Sequence, residues 1–152
     1  MSEARLRVLL VEDEVLNRAL VRAIVGRSRE LPQVELIEAP TIADARRVLA
    51  EGGVDVLLLD VRLPDGSGLD LAGELRRHRA AVAGRRLVSG AAASEGDERP
   101  LIAILSASVL ENERQAALAA GADEFLGKPF APGDLVDLLR RLGDRARHGR
   151  AE

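Results

Sequence analysis

Glu12 and Asp13, Asp60, the hydroxyl of Ser106 and the ammonium of Lys128 each close or directly follow a run of apolar residues. Lys128 is the single lysine among 22 basic residues, and the other 21 are arginine. Lysine is a point charge on a thin stem, whereas arginine is a broad planar fork. Keeping one lysine in an arginine-rich chain points to a compact cation in a tight pocket, facing carboxylates or a phosphoryl group. Three carboxylates in one small pocket repel one another strongly and need a counter-cation. Oxygen ligands with open positions suit Mg2+. Mg2+, a lysine and a hydroxyl together can neutralise an incoming phosphoryl group. Asp60 is then a candidate nucleophile, since carboxylates form acyl phosphates. Taken singly, each piece has a plainer reading. Glu12-Asp13-Glu14 suits a helix N-terminus, Ser106 suits a turn or cap, and one lysine can be chance. Asp60 is harder to dismiss, because it directly follows Val56-Leu57-Leu58-Leu59 and precedes a turn.

The elements that would position these residues follow from the apolar pattern. Leu6 to Val11 reads as a buried strand, and apolar residues at 15, 16, 19, 20, 23 and 24 have helical spacing. Pro32 breaks the chain, and Val34 to Ile37 is a second short strand. Thr41 caps a helix to about Ala50, which Gly52-Gly53 ends. Val54 to Val61 is the strongest strand, its continuous apolar run indicating burial on both faces. Leu63 to Gly68 is turn chemistry, and a helix runs from about Leu69 to Arg79. Leu101 to Leu105 is a fourth strand that ends at Ser106, a helix runs from about Leu110 to Ala120, and Glu124 to Gly127 is a fifth strand. A last helix covers about Gly133 to Leu142. Five strands alternating with five helices predict an α/β fold, a doubly wound parallel sheet in a single domain. Such sheets hold ligands at the carboxyl ends of their strands, where the acids, Ser106 and Lys128 fall. Residues 1–143 form the domain and 144–152 a polar C-terminal tail. One stretch is too long: 46 positions separate Asp60 from Ser106, where about 25–30 would serve. The surplus, about 80–99, reads as an inserted surface loop. A partner-docking insert is the sharper alternative, suggested by Arg85-Arg86.

Composition removes whole classes of function. With no Cys there is no disulfide, thiolate nucleophile or cysteine metal site. With no Trp or Tyr and two Phe there is no stacking platform for single strands. A net charge of −3 gives no general pull toward nucleic acid or anionic membrane. No apolar run approaches a membrane span or a signal sequence, so a cytoplasmic protein is expected. His78 and His148 lie in arginine-rich polar stretches and read as solvated. No phosphate-binding glycine loop is present.

Four motifs in order resemble the receiver domain of two-component response regulators, the CheY-like family. They are Leu9-Leu10-Val11-Glu12-Asp13-Glu14, Leu58-Leu59-Asp60-Val61-Arg62-Leu63-Pro64-Asp65-Gly66, Leu105-Ser106-Ala107 and Gly127-Lys128-Pro129-Phe130. The resemblance spans roughly 5–142, interrupted by the insert. It implies a flavodoxin-like sheet of order 2-1-3-4-5. It implies Asp60 as phosphoacceptor, with Mg2+ held by Asp13, by Glu12 through water, by Asp60 and by the backbone carbonyl of Arg62. Ser106 is then the hydroxyl that follows the phosphoryl group, Lys128 its pairing cation and Phe125 the aromatic switch. Phe130 reads as core packing beside Pro129, whose bond to Lys128 the family pattern makes cis. The phosphodonor would be a histidine kinase or histidine phosphotransfer protein. The downstream partner is unknown and would meet the fourth helix, fifth strand and fifth helix. Asn17 with Arg18 resembles receivers of hybrid kinases and phosphorelays. The chain departs from the pattern in Glu12, a methylene longer than the commoner Asp, in Arg62 at the pocket mouth, and in the insert. Arg62 is expected to affect the lifetime of the phosphoryl group.

The resemblance makes the chain a signalling phosphoacceptor rather than an enzyme with a separate substrate. Two other readings stand beside it. A receiver-like docking module that is never phosphorylated should have lost part of the pocket, and here every piece is present. An aspartate-nucleophile, Mg2+-dependent phosphatase resembles Asp-x-Asp, and here the second acid is replaced by Arg62.

Overall fold

The apolar runs become strands, and their burial follows from their composition. In the computed structural model, which describes residues 5–31, 33–89, 100–107 and 111–151, β1 (Leu6–Val11), β3 (Val56–Asp60) and β6 (Leu101–Ser106) are buried almost throughout. β2 (Val34–Ala39) and β7 (Glu124–Gly127) are half-buried, as edge strands are. These five pair in parallel in the order β2-β1-β3-β6-β7. Two further strands, β4 (Arg62–Leu63) and β5 (Gly66–Ser67), form a separate antiparallel hairpin just after Asp60. Leaving that hairpin aside, the order is the expected 2-1-3-4-5.

Helices cover both faces: α1 (Val15–Arg27), α2 (Ile42–Glu51), α3 (Gly68–Ser89), α4 (Glu111–Ala120) and α5 (Pro132–Ala151). Successive strand residues point to opposite faces, and the core divides accordingly. Leu6, Val8, Leu10, Val56, Leu58, Leu101, Ala103 and Leu105 pack against α1 and α5. Leu9, Val11, Leu57, Leu59, Ile102 and Ile104 pack against α2, α3 and α4. Residues just beyond the strands therefore emerge between two helical layers, at one edge of the sheet.

Thr41 caps α2 as expected, accepting a hydrogen bond from the Asp44 amide at 3.0 Å. Three other expectations change. The insert at 80–99 was expected as a loop, but its first half is helix, because α3 continues to Ser89. The segment 76–89 is rich in Arg and Ala and has no proline, so single Gly84 does not stop it. The tail expected from 144 is helical to Ala151. Gly143 does not end that helix. It seats α5 on β1, where a Cβ would lie 3.1 Å from Leu6 Cδ2, and Leu142 and Ala146 on either side are buried. The apolar face expected on α1 buries Val21 and Ile24 but leaves Val15, Leu16 and Leu20 exposed at its first turns. Positions 32, 90–99 and 110, on which other expectations fall, lie outside the described residues.

Candidate functional site

Where β1 ends, the Glu12 amide donates to the Ala39 carbonyl at 3.1 Å, one step past the ladder. This turns the Glu12 side chain inward, where the residue is 1% exposed. Asp13, next in sequence, is exposed at the mouth of a cleft. Asp60 closes β3 opposite Leu105 of β6, its side chain 14% exposed. The chain then doubles back through the β4–β5 hairpin, and the Gly68 amide donates to the Val61 carbonyl at 2.7 Å. A Cβ at Gly68 would collide with the Asp60 carbonyl oxygen, so glycine lets α3 begin directly beneath the aspartate. Asp65 ties the same loop to α2: its carboxylate accepts from the Ile42 and Ala43 amides at 2.9 and 3.0 Å.

The fourth and fifth strands complete the group. Ser106 is buried at the end of β6, opposite Gly127 of β7. Its carbonyl accepts from the Lys128 amide at 2.7 Å, which fixes where the lysine leaves the sheet. The Lys128–Pro129 bond is cis, as expected. Lys128 Nζ lies 2.5 Å from Glu12 Oε1 and 3.4 Å from Asp60 Oδ2. Asp13, Asp60, Arg62, Ser106, Phe125 and Lys128 all line one cleft, with Glu12 behind it against the lysine. Phe125 is half-buried on β7 against the α2–α4 side of the core, and Phe130 packs against the opposite side. Arg62 is exposed at the rim. The sequence-derived residues thus come together from four separate strand ends.

Crowded charge shifts the acids in opposite directions. Burial raises the Asp60 carboxyl, and Glu12 beside it adds to the effect. Lys128 opposes them, and the balance stands at about 6. Burial also works to raise Glu12, but the Lys128 hydrogen bond, the Asp60 hydrogen bond and the lysine's charge outweigh it, leaving Glu12 below its ordinary value. For Lys128, burial works against the charge, yet hydrogen bonding to Glu12 and the charges of Asp60 and Glu12 raise it above the usual lysine range. The pocket therefore holds a fixed ammonium, an ionised glutamate and an aspartate that takes a proton readily. One oxygen from each of Glu12, Asp13 and Asp60 lies within 4.8 Å of the others. An all-oxygen set of this size fits a hard divalent ion such as Mg2+.

Three contributors escaped the sequence reading. Asp65 stood only as a turn and motif residue and Gly68 only as a turn residue, with no contact foreseen for either, although they lie five and eight positions after Asp60. Arg18 entered only through the likeness of Asn17 with Arg18 to hybrid-kinase and phosphorelay receivers. Its Nη1 donates to the Glu12 carbonyl at 2.8 Å, a contact that a separation of six positions does not announce.

A family model described as the response regulator receiver domain matches residues 8–95. The chain is 34% identical over 141 residues to the swarming motility regulation protein RssB of Serratia marcescens, covering 92% of this chain and 54% of that protein. It is 32% identical over 139 residues to the aerobic respiration control sensor protein ArcB of Escherichia coli, covering 91% of this chain and 15% of ArcB. The chain thus spans about half or less of these curated relatives. Among solved structures, a signal receiver domain from Vibrio parahaemolyticus superposes with a TM-score of 0.78 at 22% identity, covering 97% of both chains. The receiver domain of a sensor histidine kinase from Pseudomonas aeruginosa, whose structure has magnesium coordinated in the active site cleft, gives 0.67 at 26% identity, covering 92% and 99%.

Proposed function

The chain belongs to the response regulator receiver family, and from that premise we propose that Asp60 is the phosphoacceptor of a two-component or phosphorelay pathway in the cytoplasm. Receiver domains are signalling modules rather than enzymes with a separate substrate. The observation that carries the reading is the gathering of Glu12, Asp13 and Asp60 within 4.8 Å, with the one lysine 3.4 Å from Asp60.

In the proposed reaction the phosphodonor is a histidine kinase or a histidine phosphotransfer protein. An Asp60 carboxylate oxygen attacks phosphorus in line, the P–N bond of the phosphohistidine breaks, and its electron pair returns to the imidazole. Glu12, Asp13, Asp60 and the Arg62 carbonyl would hold Mg2+, which supplies positive charge against the phosphoryl oxygens. Lys128 pairs with one phosphoryl oxygen and Ser106 donates its hydroxyl to another. Inward movement of Ser106 and Phe125 then alters the surface formed by α4, β7 and α5, where a downstream partner binds. Val15, Leu16 and Leu20, exposed on the first turns of α1, offer apolar surface to the donor. Arg62 at the rim influences how long the acyl phosphate survives.

Incubation with Mg2+ and acetyl phosphate, followed by intact mass, tests this directly. The expected result is a single phosphoryl increment that is absent in Asp60→Asn and absent with chelator. No adduct under any donor or Mg2+ condition would leave a receiver-like docking module as the better account.

A further inference from the structure

We propose that Arg18 is a positioning residue of this site, holding the Glu12–Asp13 peptide so that both acids meet one metal ion. This rests on the reading of Glu12 and Asp13 as metal-holding residues. The β1–β2 and β1–β3 registers both end at Val11. The carbonyl of Glu12 therefore lies beyond both ladders, yet next to a side chain that is buried. Arg18, one turn into α1, supplies a donor: Nη1 lies 2.8 Å from that carbonyl. Its Nε lies 3.4 Å from Glu38 Oε1 near the end of β2, and the Arg18 side chain is only 17% exposed. Glu38 is itself gripped by Arg22, whose Nε and Nη2 approach at 2.9 and 2.7 Å. The anchor behind Arg18 is thus a carboxylate fixed from the neighbouring strand.

The consequence is geometric. A peptide is planar, so pinning the Glu12 oxygen also pins the Asp13 nitrogen in the same plane. Glu12 leaves that plane toward Lys128 at 2.5 Å, while Asp13 leaves it toward the cleft. Rotation of the plane would swing both carboxylates relative to Asp60 and open the oxygen cluster. Arginine suits the task because its planar fork serves two acceptors at once, whereas an ammonium is a single point charge. A metal site depends on such outer partners to orient its ligands, typically by 10–100-fold in affinity.

The test uses four versions of the whole chain: unaltered, Arg18→Met, Arg18→Lys and Arg22→Met. Mg2+ affinity is measured by calorimetry, and amide hydrogen exchange at Asp13 and Glu14 is measured without metal. Arg18→Met should weaken Mg2+ about tenfold and speed exchange at both amides. Arg18→Lys should fall between, and Arg22→Met, which loosens Glu38 but leaves the Arg18 donor in place, should lose clearly less than Arg18→Met. If Arg18→Met does not fold, Arg18→Lys carries the comparison. Unchanged Mg2+ affinity in the Arg18 variants, or an equal loss in Arg22→Met, would overturn the proposal. A chain that binds no Mg2+ at all would overturn it together with the metal reading. Mg2+ binding without an acyl phosphate would sink the phosphoacceptor reading alone, and the Arg18 comparison would still decide the positioning role.

Discussion

Asp60, Glu12 and Lys128 form an unequal trio. The lysine is 2.5 Å from Glu12 and 3.4 Å from Asp60, so the buried glutamate takes most of its charge and the aspartate is left undercompensated. Burial raises the Asp60 carboxyl, Glu12 adds to it and the shared lysine only partly opposes them, so it sits at about 6 rather than its ordinary 3.8. A raised carboxyl keeps its proton longer in the folded chain than in the unfolded one. Between about pH 4 and about pH 6 this one group binds more proton in the folded state, so its contribution to stability falls as pH rises through that window. Asp60→Asn keeps the shape and removes the titration. In metal-free buffer it should be near neutral below about pH 4 and stabilise by about 1–2 kcal/mol above about pH 6, after allowing for partial solvent access. Urea unfolding at several pH values measures this. A gain of the same size at every pH would show that packing, not charge, sets the difference.

At the scale of elements, legibility followed the kind of signal. Central strands were readable because burial on both faces demands uninterrupted apolar runs, and β1 has the expected bounds, as does the half-buried edge strand β7. The site was readable for the same reason, since each chemical residue interrupts or follows such a run. Helix ends were readable for α2 and α4, which stop before Gly52 and Gly121 as expected, but not for α3 and α5. Glycine was taken as a stop at Gly143, yet what decides is whether tertiary packing continues beyond it. Ala146 is buried and Arg145 lies 3.3 Å from Asp123, so the turn of α5 just after Gly143 packs on the body of the fold. Arg18 and Asp65 were unreadable because each acts on a backbone group brought near only by folding. Truncation after Gly143 tests the status of α5. It should lower stability by about 1–2 kcal/mol, through lost burial and a weak exposed pair, seen as a lower thermal midpoint. An unchanged midpoint would restore the view of 144–152 as a mere tail.

For the whole molecule, the strand order places the ends of β1 and β3 side by side, with β6 and β7 next to them. The acids from β1 and β3 and the lysine after β7 are therefore far apart in sequence and adjacent in space. Without a metal, the negative oxygens of Glu12, Asp13 and Asp60 within 4.8 Å of one another oppose closure of this edge. A divalent ion bound there would convert that repulsion into a cross-link between β1 and β3. Binding to the folded chain alone stabilises it by mass action, about 1.4 kcal/mol at ten times Kd. For a chain of this size that corresponds to a thermal shift of about 3–5 °C. The midpoint should rise with Mg2+ and saturate, and Asp13→Asn should flatten the response, since that acid faces the cleft without pairing to Lys128. Matched ionic strength with a monovalent salt separates ligation from screening, because exposed pairs respond to both. A midpoint that rises equally with monovalent salt, or equally in Asp13→Asn, would mean that the acidic cluster is relieved by screening and holds no specific ion.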